Sequence, residues 1–231
     1  MTLLQHLAFL DLVALALFAA TLLGYGPAIA RFGGTRAVNR NLTPIRRRWM
    51  TNVLTKENRI ADAQMIGHVI SSASFFASTS MLLIAGMLGI LGSVTTTHAV
   101  VQTMSFVPPT DIELFELKII LLLIVLVSGF FRFSHAIRQF NYAIALIGSA
   151  PPQAMARDEA ERRAAPIATV MNNALHSFNT GVRTYYFAFA VLGWLLGPLA
   201  FIAITIYVFL VLLFRQTHSG TSKAIRDYSE L

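Results

Sequence analysis

The sequence predicts an all-α polytopic membrane protein, a four-helix transmembrane bundle with helical cytoplasmic extensions, and three observations predict it. First, 55% of the residues are hydrophobic and only 13% are charged, against about a quarter charged in an ordinary soluble domain. Second, four stretches are apolar over the roughly 20 residues that a helix needs to cross about 30 Å of hydrocarbon. Third, the basic residues gather in the segments between those stretches, the pattern that orients a chain in a bilayer. Hydrocarbon offers no partner to a free backbone N–H or C=O, so stretches that cross it must be helical. The chain reads as a single membrane domain over 1–231.

The first span is placed at 7–30. Met1 to His6 contains no Lys or Arg, the apolar run exceeds a signal-peptide core, and its end at Gly24-Tyr25-Gly26-Pro27 is followed by Arg31 and Arg36, so it reads as a retained span. Residues 31–60 carry Arg31, Arg36, Arg40, Arg46, Arg47, Arg48, Lys56 and Arg59 against Glu57 alone; the region 31–62 is therefore expected in the cytoplasm. The second span is 64–92. The connection 93–113 has no Lys or Arg and carries Asp111 and Glu113 beside Pro108-Pro109, which places it outside. The third span, 114–133, continues as helix to Ile147 and stops at Gly148-Ser149-Ala150-Pro151-Pro152. Residues 153–165 combine strong helix formers with opposite charges three to four apart, a solvated helix. They lie in the second cytoplasmic region, 134–183, where Arg138, Arg157, Arg162, Arg163 and Arg183 outweigh Asp158, Glu159 and Glu161.

The fourth span is placed at 185–214 as one crossing, which puts the N-terminus and the tail 215–231 outside. Arg215, Lys223 and Arg226 in that tail oppose this placement. The alternative is that Gly197-Pro198 splits the stretch into a re-entrant pair and returns the tail to the cytoplasm. Proline in a membrane helix is more often a tolerated kink, and 185–196 is too short to span alone. The inner (plasma) membrane is the expected location.

Net charge is +7 and the isoelectric point about 10.2, but the basic residues border apolar spans, which selects anionic phospholipid rather than nucleic acid as their partner. No cysteine is present, which excludes disulfides and thiolate metal sites. No glycine-rich phosphate loop, nucleophile elbow or carboxylate pair occurs, so no catalytic residue is assigned and no cofactor is predicted.

Ionisable groups inside a span are functional candidates because hydrocarbon penalises them. Asp11 and Lys118 each lie about four residues into a span, at one depth near the outer face, where an intramembrane ion pair can form between them, read as a structural clasp or as part of a proton or ion path, with outward snorkelling as the alternative. The second span carries a polar face of Gln64, His68, Ser71, Ser72, Ser78 and Thr79, read as helix packing or as a polar permeation path. His68, His135 and His176 are weak candidates for a metal or haem, since none has a second ligand at helical spacing.

These pieces form an ordered set. Asp11, Gly24-Tyr25, Asn39-Arg40, Trp49, Gln64 and Ala77-Ser78-Thr79 come first. Phe115-x-Leu117-Lys118, Ile137-Arg138 with Ala143-x-x-Leu146-Ile147, Gly181-x-Arg183-x-x-Tyr186-Phe187 and Trp194-x-x-Gly197-Pro198 follow. Taken together the set resembles domain of unknown function family 599, four-span membrane proteins of bacteria and plants, over roughly 10–214. The resemblance implies the four-span fold and no established activity. It also implies that Asp11, Lys118, Arg138, Arg183 and Tyr186 belong to a shared site. Plant members of the family carry Arg-Asn where this chain has Gly67-His68, so the resemblance lends no support to a shared metal role for His68. Arg138 and Arg183 flank spans at the cytoplasmic interface, where a guanidinium can hold the phosphate of an anionic lipid or ligand bidentately.

Three classes of function follow. The leading expectation is a non-enzymatic component that forms a homo-oligomer or serves as a subunit of a larger membrane complex. An ion or small-solute channel or transporter is the alternative, and a lipid-directed or redox membrane enzyme is the second.

Overall fold

A computed structural model describes residues 7–34 and 37–230; Met1 to His6, Arg36 and the last tail residue, Leu231, lie outside the described residues. The described residues are helical, with no strand: α1 (Phe9–Phe32), α2 (Val38–Leu54), α3 (Ile60–Gly92), α4 (Val94–Gln102), α5 (Ile112–Gly148), α6 (Arg157–Gly193), a 3-10 turn (Trp194–Leu196), α7 (Pro198–Thr217) and α8 (Gly220–Ser229). Four segments are long and apolar enough to cross a membrane: Phe9–Arg31, Ile60–Gly92, Ile112–Gly148 and Pro198–Ser229. The all-α multi-pass architecture is as the sequence predicts.

α5 and α6 form the axis of the molecule. They run antiparallel in close register, because glycine stands where the two helices touch. A Cβ on Gly129 would lie 2.9 Å from the Thr184 hydroxyl, and one on Gly181 would lie 2.7 Å from the Phe133 ring. Missing side chains at such points let helix backbones approach. At the lower end Ser177 donates a hydrogen bond to Gln139 at 3.3 Å.

Two apolar cores are stacked along this axis. The lower core joins Met50, Val53 and Leu54 of α2, Ile66 of α3, Phe140 of α5 and Met171 of α6. The upper core joins Phe18 of α1, Leu122 and Leu126 of α5, Phe187 of α6 and Phe201 of α7. A waist of rings separates them: Phe76, Phe133, Phe178 and Tyr185 lie with centroids 5.3–5.9 Å apart, and the Ser80 and Tyr185 hydroxyls meet at 2.9 Å.

The lower layer is fastened by polar contacts. Asp62, only 2% exposed, accepts from the Trp49 indole at 2.8 Å and from Lys56 at 3.1 Å. Arg59 donates to the Pro151 carbonyl at 2.9 Å, which ties the α2–α3 and α5–α6 turns together. Burial pushes the Arg46 guanidinium down from its ordinary range, and its N–H finds Asn172 at 2.8 Å. On the solvated start of α6 the expected ion pairs form, Arg163 with Glu159 at 2.8 Å and Arg157 with Glu161 at 3.3 Å.

The fourth span needs correction. Residues 185–214 are not one crossing, because α6 ends at Gly193 and α7 starts at Pro198. Between them Gly197 has φ +114°, a backbone that side chains rarely adopt, and Pro198 opens the next helix where its missing N–H costs nothing. The chain doubles back there: Trp194 stacks on Phe201, Gly193 packs on Ile204, and Tyr186 at the far end meets Arg215 at 2.9 Å. α6 thus climbs from the lower layer to the top and α7 descends beside it, so α1, α3, α5, α6 and α7 share the upper layer. The descent brings the tail to α2, where Arg48 donates to the Ser229 carbonyl at 3.1 Å. The basic tail and the basic loop therefore share one end of the bundle, as in the re-entrant alternative.

Candidate functional site

At the opposite end of the bundle the chain folds around a chamber of about 450 Å³. Its wall is drawn from the starts of α1 and α5, from α4, from the Pro108–Asp111 segment and from the Gly197 turn. α4 is a helix inside the connection 93–113, held by the His98 ring on the Thr110 carbonyl at 2.8 Å and by Gln102 on the Thr110 hydroxyl at 3.1 Å. These contacts override the weak helix propensity of the β-branched run Val94–Thr97.

Asp11 and Lys118 are both brought to this chamber, 4% and 3% exposed respectively. They are joined differently from the predicted ion pair, for no salt bridge within 4.0 Å links them among the described residues. Trp194 stands between them. Its indole N–H donates to Asp11 at 2.6 Å, while the Lys118 ammonium lies 5.7 Å from the ring centroid, over the π face. The indole satisfies the carboxylate with its edge and the cation with its face. Asp11 also accepts the Ala8 N–H at 3.2 Å, closing the first turn of α1. Lys118 is thus a buried cation facing a cavity, with no hydrogen bond to its ammonium among the described residues and a carboxylate near enough to act on it electrostatically.

Among the described residues, the lining of the chamber reaches no deeper along α5 than Lys118. Below Lys118 the upper core is packed with Phe18, Leu122, Leu126, Phe187 and Val191. The next charge along α5 is Arg132, fourteen residues later and about 21 Å away at 1.5 Å per residue, and Arg183 of α6 lies near that level, between Gly181 and Thr184, which meet Phe133 and Gly129 of α5.

The remaining sequence candidates separate. Gln64, His68, Ser71, Ser72 and Ser78 face outward and are exposed, and Thr79 is half-buried. The buried face of α3 is instead Asp62, Ile66, Ala73 and Ser80, spaced by four and seven, with Asp62 on Trp49 of α2 and Ser80 on Tyr185 of α6. The hydroxyl that bonds across a helix contact is therefore Ser80, not one of the six. His68, His135 and His176 are each exposed on a different helix, and no group of three potential ligands gathers among the described residues. Arg183 stacks on the Tyr25 ring at 4.4 Å, and Tyr186 accepts from Arg215. Arg138 is not with them: it is exposed six residues, about 9 Å of helix, below Arg132.

Helices long and apolar enough to cross a bilayer, packed as one bundle with polar groups at the two ends of its upper core, define a multi-pass membrane protein. A family model described as "Protein of unknown function, DUF599" matches residues 13–221. The chain belongs to that family, in agreement with the resemblance read from its ordered motifs. No curated protein and no solved structure matches it.

Proposed function

We propose that this protein is a non-enzymatic component of a membrane assembly that holds a small anion, a carboxylate or phosphate, in the chamber at the end of the bundle opposite its basic loops. The observation that carries the reading is the Lys118 ammonium: buried, aimed at a cavity, backed by an indole, and without a salt bridge among the described residues. A desolvated cation gains most from an anionic partner that completes its hydrogen bonds. Asp11, engaged by Trp194 and Ala8, offers Lys118 its charge but no hydrogen bond, so the ammonium's donors remain for a ligand that must also avoid the chamber-lining Asp111. By the arginine asymmetry, α2, α8 and the lower layer face the cytoplasm of the inner membrane and the chamber opens outside.

Binding is favoured over conduction because the layer below Lys118 is filled with apolar side chains rather than lined by polar ones. The assembly role is supported by α3, which turns Ser71, Ser72 and Ser78 away from its own bundle; small hydroxyl residues on an outward face suit contact with a second copy.

The chain has two tryptophans and no cysteine, which makes both parts of the reading testable. In a Trp49→Phe background, succinate or inorganic phosphate is expected to change Trp194 fluorescence saturably, and Lys118→Met is expected to abolish the change. No response up to about 10 mM, beyond the range of a weak site, would overturn the binding reading. Ser78→Cys is expected to give disulfide-linked dimers in membranes; exclusively monomeric protein would remove the second copy.

A further inference from the structure

A second cluster of charge lies at the lower edge of the upper core. Arg183 of α6 lays its guanidinium on the Tyr25 ring of α1 at 4.4 Å. Stacking uses the flat face of the group and leaves its in-plane N–H donors open. The ring is itself fixed, because the Tyr25 hydroxyl donates to the Leu212 carbonyl at 3.2 Å and the ring packs edge-on against Phe209. Arg132 of α5 lies at the same level, where Gly129 and Phe133 of its helix meet Thr184 and Gly181 on either side of Arg183. Arg215 of α7 joins the same level through Tyr186 at 2.9 Å.

Among the described residues none of Arg132, Arg183 and Arg215 has a carboxylate within 4.0 Å, and Arg132 and Arg183 donate no hydrogen bond. The nearest acids along α6, Asp158 to Glu161, sit at its far end, more than twenty residues from Arg183. A guanidinium fixed flat on a ring, with a second arginine at its level on the neighbouring helix and no carboxylate beside either, is arranged for an anion.

We propose that Arg132 and Arg183, with Arg215 beside them, hold the phosphate of an anionic phospholipid where the upper core meets the lower layer. The depth fits: the cluster is about 21 Å below the Lys118 chamber, at the boundary where the apolar layer ends. The surroundings select a lipid over a free ion, since Phe131 and Phe214, the residues that precede Arg132 and Arg215, are exposed apolar surface, a place for acyl chains. Two arginines can grip one phosphate through several charge-assisted hydrogen bonds. This site is separate from the chamber and does not depend on its reading.

The test uses full-length protein in mild detergent. Phosphatidylglycerol is expected to be retained in native mass spectra and to raise the melting temperature, with phosphatidylcholine and millimolar inorganic phosphate doing neither. Each basic side chain near an anionic surface contributes about 1 kcal/mol, or about fivefold, so Arg132→Gln should weaken retention about fivefold and Arg132→Gln/Arg183→Gln about 25-fold. Arg132 is exposed, so its single variant keeps the test valid if the double variant unfolds. Arg138→Gln should bind as the parent does. Equal retention by parent and Arg132→Gln would overturn the proposal; an equal shift from inorganic phosphate would overturn its lipid source.

Discussion

The two stacked cores share α5 and α6 and bury the same kinds of side chain, yet their surfaces differ. Phe140 in the lower core and Phe187 in the upper core are both fully buried, at 0% exposure. Around the lower core, α2 and the start of α6 carry arginines and surface ion pairs, the dress of a helix in water. Around the upper core the exposed side chains are Leu82, Ile124, Phe189 and Leu199, suited to lipid. Burial from water gains the full transfer free energy, whereas lipid tails are as apolar as the core they would replace and leave packing as the main gain. The charged surface of α2 and of the start of α6 suits water, and the apolar surface of the upper layer suits lipid, where the helices are held by fit.

The largest expected effect breaks or confirms that contrast directly. Phe140→Ala should cost about 3–5 kcal/mol, and Phe187→Ala about 2 kcal/mol less because the transfer part is missing; unfolding by dodecyl sulfate in mixed micelles reads both. Equal losses would mean that the two layers share one solvent. Trp194→Phe keeps the ring but strips Asp11 of its indole donor, and should cost about 1–3 kcal/mol in the same titration while leaving the lower layer protected from amide exchange.

How far the sequence foretold this division depends on what each residue reports. The first three spans and the stop at Gly148 are legible because apolar runs and breakers act locally. Residues 185–214 mislead because an apolar run records the solvent around it, not the direction of the chain, and both arms of the α6–α7 hairpin face the same lipid. α6 escapes notice as a fifth traverse of the upper layer because its first half is dressed for water, with Asn172, Asn173 and His176 in the lower layer. The common depth of Asp11 and Lys118 was readable from topology; their mediator was not, since Trp194 stands 183 residues from Asp11 and only the hairpin turn brings it there. Arg132 and Arg215 likewise join Arg183 only through the packing of α5 and α7 on α6.

Smaller effects sharpen the contrast. Gly197→Ala forces a side chain into the left-handed turn and should cost about 1–2 kcal/mol, read as a lower dodecyl sulfate midpoint, with the Lys118 chamber loosened before the basic end. Glu159→Ala removes one exposed pair of the lower layer and should change stability by less than about 0.5 kcal/mol, less still at high salt; a larger loss in a salt series would show that this end of α6 is shielded from water.

α5 and α6 each run 37 residues, about 55 Å, through both layers. Neither has a proline or a change of helix type at the ring waist; Pro166, the one proline inside α6, lies well down in the lower layer. Two stiff struts clamped together at glycine contacts cannot bend independently of each other. Together they act as a rigid spacer that fixes the distance between the turn bearing Lys118 and the arginine-rich level about 21 Å below it.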